Sequence, residues 1–459
     1  MMLSRSAISR NAPRALQSAA SRRGMASAAT PGLQYDVSES AGVKVANREP
    51  SGATGTLALV AKAGSRYQPF PGFSDALEFF AFQSTLKRSA LRITREVELL
   101  GGEFSSTHSR ENIVLKTKFL ANDLPYFVEL LAEVASQTKF PGYELDEVVT
   151  KLLKLRQLAI ANDPEAVAVD AAHGVAFHQG LGESITPSAY VPYEKDISAE
   201  AIAEFAKNAY AKSNIALVGS GASSSELSKW VGDFFKGLPS AGTSGQYQLK
   251  SNSASNYYGG EQRISTKAGN SVVIAFPGTG AFGTSAYKPA ASVLTALLGG
   301  ESSIKWTPGF SLLGQATQGL SQLRVSTKNH AYSDAGLLAV SLSGKADQVA
   351  SAGKSVVEVL KKAAAGEIPG EEIKKATALA KFRALESAQT LETGLELTGS
   401  GLINGSKPYQ IGEVAQSVDS VTEAQVKDVA KSLLSGKASV ASVGDLSRLP
   451  YASDLGLTV

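Results

Sequence analysis

Cysteine is absent from the 459-residue chain. That removes disulfides, thiolate zinc sites, cysteine-ligated iron–sulfur clusters and cysteine nucleophiles together. Histidine is scarce: His108, His173, His178 and His330 are the full set. His173 and His178 stand five apart, on poorly matched helical faces, and read as ordinary helix and loop histidines rather than a metal pair. Long apolar runs are missing too. No uninterrupted stretch approaches the roughly 18–20 residues needed to cross a bilayer, so no transmembrane helix is expected and any membrane association must be peripheral.

Acidic residues are absent before Asp36, and what stands there instead is distinctive. The first 30 residues hold Arg5, Arg10, Arg14, Arg22 and Arg23 with six serines and eight alanines. An Arg-rich, Ser-rich, acid-free start has the composition of a mitochondrial transit peptide and lacks the apolar core of a secretory signal. Residues 1–30 are therefore expected to be removed, with cleavage near Arg22–Met25. Losing the five arginines takes the net charge from +3 to −2, so the basic pI gives no case for a nucleic-acid partner. The remainder, from a chain 43% hydrophobic and 19% charged, can bury one or two sizeable cores.

A Ser/Gly/Asn-rich stretch over 237–260 has the composition of a flexible linker. It divides the rest into an N-terminal domain, 31–236, and a C-terminal domain, 261–459. The two parts share landmarks in the same order. Ser106-Thr107 matches Ser326-Thr327, Pro141-Gly142 matches Pro369-Gly370, and Ile215–Gly219 matches Val440–Gly444, at offsets of 220, 228 and 225 residues. Three matches in order argue for a duplicated domain. Phe127, Leu130, Leu131 and Val134 fall at helical spacing after Asn122-Asp123 and Pro125; Leu227, Trp230, Val231 and Phe234 mark another helix, as do Val349, Val356, Val357 and Leu360. Thr422 with Gln425 fits a capping box. Strands are expected at 56–61, 113–119, 215–218, 271–276, 337–342 and 438–443. Helices are grouped rather than alternating with strands, which favours an α+β sandwich over a doubly wound sheet.

One phosphate-loop pattern needs weighing. Gly278-Thr279-Gly280-Ala281-Phe282-Gly283 is a complete G-x-G-x-x-G after a strand, with Glu301 eighteen residues beyond. Pro277 interrupts the turn, and the Gly64–Gly72 loop holds the equivalent place in the first half. A repeat-related connection explains it better than a dinucleotide site.

The segment 72–120 carries the chemistry. Ser74 can cap a helix from Asp75, and Gly101-Gly102 ends the next one. This segment resembles the start of the pitrilysin/insulysin-type zinc peptidases, which include the mitochondrial processing peptidase. The resemblance implies H-x-x-E-H on the first helix: two zinc-binding histidines at i and i+4 with a glutamate general base, and a third, acidic ligand from a later helix. Here the stretch reads Asp75-Ala76-Leu77-Glu78-Phe79. Glu78 stands where the base would be, Asp75 could ligate a metal in principle, and Phe79 cannot. The third ligand should lie near Arg156, yet no carboxylate occurs between Glu147 and Asp163. At most one of three ligands remains. Asp75, Glu78 and Phe79 are then vestigial, with no catalytic, metal or cofactor role expected. Phe79, with Leu77, Phe80 and Phe82, is expected to fill the space of the missing ion at about 1.5–3 kcal/mol per large side chain. Glu78 is left as a hydrogen-bonded or solvated remnant.

Within that family, Phe82-Gln83-Ser84-Thr85 with Arg88-Ser89-Ala90-Leu91, the run Arg95–Gly102, and Ser109-Arg110-Glu111-Asn112 resemble the core subunits of ubiquinol–cytochrome c reductase (respiratory complex III). The α subunit of the processing peptidase should carry a longer glycine-rich loop where this chain has only Gly299-Gly300 and Pro308-Gly309. The resemblance implies two homologous α/β-sandwich domains of the LuxS/processing-peptidase-like metallohydrolase fold, joined by a flexible linker. It also implies a place on the matrix side of the mitochondrial inner membrane, and partnership with a core protein 1 homologue and other complex III subunits. The concave surface of the fold is a place for a presequence peptide. Rival readings are an α-type, presequence-binding subunit of the processing peptidase and a competent metallopeptidase.

Overall fold

The computed structural model describes residues 34–49, 52–188, 197–243, 245–250, 254–300, 311–389 and 391–459. The expected presequence, Glu301 and Pro308-Gly309 lie outside them. In the first half, β1 (Asp36–Ser40), β2 (Val43–Arg48) and β3 (Thr54–Ala61) lead into helices α1 (Phe73–Phe80) and α2 (Ala90–Leu99). Strands β4 (Glu103–His108) and β5 (Ile113–Leu120) follow, then helices α3 (Leu124–Gln137), α4 (Thr150–Ala161), α5 (Pro164–Phe177) and α6 (Ala199–Ala209), strand β6 (Ile215–Ser220) and helix α7 (Ser224–Phe234). The second half runs β7 (Gly260–Ser265), β8 (Ser271–Pro277), α8 (Pro289–Leu298), β9 (Leu323–Ala331), β10 (Gly336–Gly344), α9 (Ala346–Ala365), α10 (Gly370–Gln389), α11 (Leu391–Ile403), α12 (Ile411–Asp419), α13 (Glu423–Ser435) and β11 (Ser439–Gly444).

The strands form two sheets, ordered β1-β2-β6-β3-β5-β4 and β7-β11-β8-β10-β9. In each, the last strand of the half is inserted between two earlier ones, β6 between β2 and β3 and β11 between β7 and β8. β6 runs parallel to β2 and antiparallel to β3, and β11 runs parallel to β7 and antiparallel to β8. The landmarks matched in sequence sit at equivalent places: Ser106-Thr107 in β4 and Ser326-Thr327 in β9, Ile215–Gly219 in β6 and Val440–Gly444 in β11. This is a duplicated α+β sandwich.

All six expected strands are interior ones, legible because both their faces are covered and they are nearly continuous apolar runs; β2, interior too, is not among them, since Lys44, Asn47 and Arg48 break its run. In β3, Leu57, Leu59 and Ala61 join the core under the first half's own helices, while Ala58 and Val60 join a second cluster on the opposite face. The edge strands carry no such pattern. In β1, Asp-Val-Ser-Glu-Ser is almost wholly exposed, and β7 and β9 are half-exposed, which is why β1 and β7 escape an apolar-run search. The two expected caps differ in outcome. Thr422 and Gln425 form the expected capping box on α13. Ser74 lies inside the first turn of α1, whose N-cap is Gly72, and its hydroxyl bonds the Ala63 carbonyl instead.

The two halves exchange a helix. α5 belongs to the first half but packs Ala168, Ala172 and Ala176 on the second sheet, against Val273, Ala275, Ala339 and Ala441. α11 belongs to the second half but places Leu395 and Leu402 on the first sheet, against Ala46, Ala58, Val60, Ala216 and Val218. Small residues allow this close seating. A Cβ at Gly399 of α11 would stand 2.4 Å from Val60 Cγ2, with both strand and helix fixed. Gly399→Ala is therefore expected to cost about 1–3 kcal/mol by overpacking, measured as a shift in urea midpoint at unchanged slope.

A buried ionic latch adds to the exchange. Arg66, in the loop between β3 and α1, bonds Glu111 Oε1 at 2.8 Å and grips Asp334 of the β9–β10 hairpin with two bonds of 2.7 Å. Glu111 in turn accepts from the Ser333 amide and hydroxyl, at 2.9 and 2.6 Å. Arg66 and Glu111 are 4% and 5% exposed, so each charge depends on the others for its solvation.

Candidate functional site

Helix α1 sets Asp75 and Glu78 three residues apart, on one face. Both are buried. Above them the structure brings two groups that the sequence pattern did not. Arg156 of α4 donates from Nη1 to Asp75 Oδ1 at 3.0 Å and to Glu78 Oε2 at 2.9 Å, and from Nη2 to Glu78 Oε1 at 2.6 Å. His108, the last residue of β4, contacts Glu78 Oε2 through Nδ1 and the Ile185 carbonyl through Nε2, the latter at 3.1 Å. Both ring nitrogens face acceptors, so both must donate, and the ring is an imidazolium. Thr186 donates to Asp75 Oδ1 at 2.8 Å.

The electrostatics follow from this geometry. Burial lowers the affinity of His108 for its proton, but the Glu78 hydrogen bond and the two carboxylate charges outweigh it and hold its pKa above the ordinary value. Burial pushes Glu78 upward, and its bonds to His108 and Arg156 overcome that, leaving it below its usual range. Asp75 is the exception. Burial dominates there and raises its pKa against the pull of His108, Thr186 and Arg156. Its Oδ2 has no hydrogen-bond partner, with His108 Nε2 at 3.9 Å. With both carboxylates ionised, one guanidinium and one imidazolium balance them. The protein thus supplies the two positive charges that a divalent ion would bring.

Zinc does not fit this donor set. A tetrahedral site needs oxygen and nitrogen ligands at about 2.0–2.2 Å. Here three of the four carboxylate oxygens already accept from N–H or O–H donors, and a guanidinium stands among them. Among the described residues, no three His, Cys, Asp or Glu side chains are grouped to hold a metal ion. Glu78 is not free to act as a general base, because both of its oxygens are held by Arg156 and His108.

The structure corrects the expected role of the aromatic residues. Phe79 does not fill the ion's place. It is half-buried, with the Arg156 guanidinium 4.3 Å over its ring. Leu77 and Phe82 join the main core, and Phe80 packs edge-on against Phe140 in a separate cluster. Arg156 and His108 do the filling. A cation where the pattern demanded an acid was the available signal for Arg156. His108 had none, since it lies thirty residues from Glu78 on another element.

The remaining histidines are structural. His173 donates from Nδ1 to the Val169 carbonyl at 2.7 Å, so its Nε2 accepts from the Tyr332 hydroxyl at 2.8 Å. Burial and the nearby Arg110 charge drive its pKa well down, and the same causes with Lys328 take His330 to about 4. His178 turns away at the end of α5 and stacks on Tyr258. The glycine-rich loop 278–283 is also consumed by the fold. The amides of Gly278, Gly280 and Ala281 bond the carbonyls of Gly336, Ala286 and Tyr332, and that of Thr279 bonds Asn329 Oδ1, so the first four amides of the loop are not free to cradle a phosphate.

Two sequence-family models match the chain, Insulinase (Peptidase family M16) over residues 44–187 and Peptidase M16 inactive domain over 196–379. The chain belongs to the M16 peptidase family, as a non-catalytic homologue. Its relatives include cytochrome b-c1 complex subunit 2, mitochondrial, of Neurospora crassa, 48% identical over 100% of both chains. The protein of the same name from Yarrowia lipolytica is 36% identical over 94% of this chain and 99% of its own. The human one is 28% identical over 90% of each.

Proposed function

We propose that this chain is a non-catalytic core subunit of the mitochondrial cytochrome b-c1 complex (respiratory complex III), serving its assembly and stability. Full-length similarity to subunit 2 of that complex supports the reading, and the observation that carries it is the Arg156 guanidinium seated between Asp75 and Glu78. A peptidase scaffold is kept whole while its reaction centre is converted into a neutral, buried ion cluster. No described helix is long and apolar enough to cross a membrane, in keeping with a peripheral subunit carried by others.

The finer parts of the proposal follow from the sequence. Residues 1–30 act as a presequence, the domains divide at 31–236 and 261–459 around a linker, and the mature chain lies on the matrix side beside a core protein 1 homologue. Retention of a presequence peptide in the concave surface belongs to the same reading. Native electrophoresis of detergent-solubilised mitochondria tests the central claim. The chain is expected to migrate with the cytochromes of complex III, and migration apart from them overturns the assignment.

A further inference from the structure

Between the halves lies a cavity of about 150 Å³ that the assembly role does not use. Its walls come from the β4–β5 turn (Ser109, Asn112), the loop after β8 (Phe282), the β9–β10 hairpin (Tyr332), α11 (Glu396) and the loop beyond it (Tyr409). Two carboxylates reach it, and they differ. Glu111 is committed to Arg66 and Ser333. Among the described residues, Glu396 makes no ion pair. Burial raises its pKa, and only the Ser109 hydroxyl opposes that. Lys407, the one cation among the described lining residues, is exposed.

The lining discriminates among ligands. An anion would meet the Glu396 carboxylate, and the amides of residues 278–281 in the glycine-rich loop are already spent on the fold. A hard metal ion asks for six or so oxygen ligands with several charges, where Glu396 alone is uncommitted. Aromatic walls suit a different cation. Phe282 and Tyr409 meet edge to face with ring centroids 5.6 Å apart, and Tyr332 also lines the cavity. Aromatic faces beside one carboxylate are the surroundings that hold organic ammonium ions. Asn112, buried and with no hydrogen-bond partner for its Oδ1, adds an acceptor and no donor charge.

We propose that this cavity binds an alkylammonium group, with the Glu396 carboxylate as counter-ion and Phe282, Tyr332 and Tyr409 as its aromatic wall. The group can come from a free polyamine or from a lysine side chain of a peptide. Calorimetric titration of the full-length mature protein with putrescine, and separately with N-acetyl-lysine methylamide, tests this. At least one amine should bind saturably at a single site, while the neutral isostere 1-butanol should not. Glu396→Gln should weaken amine binding about ten-fold or more, the loss expected for a charge-assisted bond. It should leave the melting temperature unchanged or raised, because no ion pair is broken. The tighter of the two amines identifies the source. Lys407→Glu, an exposed change that does not threaten folding, should strengthen binding several-fold. Absence of saturation with both amines, equal binding by 1-butanol, equal binding by Glu396→Gln, or indifference to Lys407→Glu overturns the proposal.

Discussion

Replacing Arg156 by alanine is expected to lower stability by about 3–5 kcal/mol, although the residue is part of no reaction. Its side chain is 27% exposed, but the carboxylates it serves are not, at 0% for Asp75 and 7% for Glu78. Removing the guanidinium leaves two buried carboxyl groups facing one imidazolium. Arg156→Lys should recover only part of the loss, because one ammonium cannot reproduce a forked contact to both carboxylates. The pH dependence gives an independent check. Glu78 has a lowered folded pKa, so its contribution is present above its ordinary value of 4.5 and is lost as pH falls through the folded value. His108 is raised, so its contribution is full below 6.5 and is lost as pH rises through its folded value. In Arg156→Ala the deficit should shrink on acidification below about 4.5, as protonation relieves the uncompensated carboxyls. A deficit constant from pH 7 to pH 4 would mean that packing against Phe79, rather than charge, is what Arg156 contributes.

Arg66→Ala is expected to cost a similar 3–5 kcal/mol, by stranding Glu111 in the interior and releasing the β9–β10 hairpin. Here the loss falls on the contact between halves. Amide exchange should quicken most over residues 332–335 and at Ser255, whose amide bonds Asp334 Oδ2 at 2.9 Å. Asp334→Ala alone should cost less, since its partner Arg66 keeps Glu111. The double variant should lose less than the sum of the two, a coupling that defines the latch as one unit. Strict additivity would show the hairpin to be held by its backbone contacts alone.

Much of the fold was legible because duplication writes the same landmarks twice. The matched pairs are an interior strand, an edge strand and a helix start, and only the interior strand and the Pro-Gly turn leave a pattern that burial or backbone geometry explains. The site was half legible. Glu78 and the impossibility of Phe79 as a ligand follow from the five residues 75–79. Arg156 was signalled only as a cation where an acid was expected, and its grip on both carboxylates does not follow from that, because it depends on α4 delivering the side chain across eighty residues of chain. The error over Phe79 has the same origin: an apolar residue in a vacated ion site suggests filling by burial, whereas two buried carboxylates require filling by charge. The exchange of α5 and α11 was not legible at all. Their alanines and glycine announce a close contact without naming the sheet that makes it.

That exchange sets an order of events for the chain. The outer face of the first sheet, with Ala46, Ala58, Val60, Ala216 and Val218, is complete by residue 220, yet its cover is drawn from residues 391–403. A chain threaded through a membrane from its N-terminus would carry this bare apolar face through most of its passage. The first sheet cannot finish until the last sixth of the sequence has arrived, and contacts of such separation are slow to form. A truncation anywhere before α11 should therefore yield an aggregating fragment rather than a free-standing half, and the holding chaperones of the receiving compartment would be needed almost to the end.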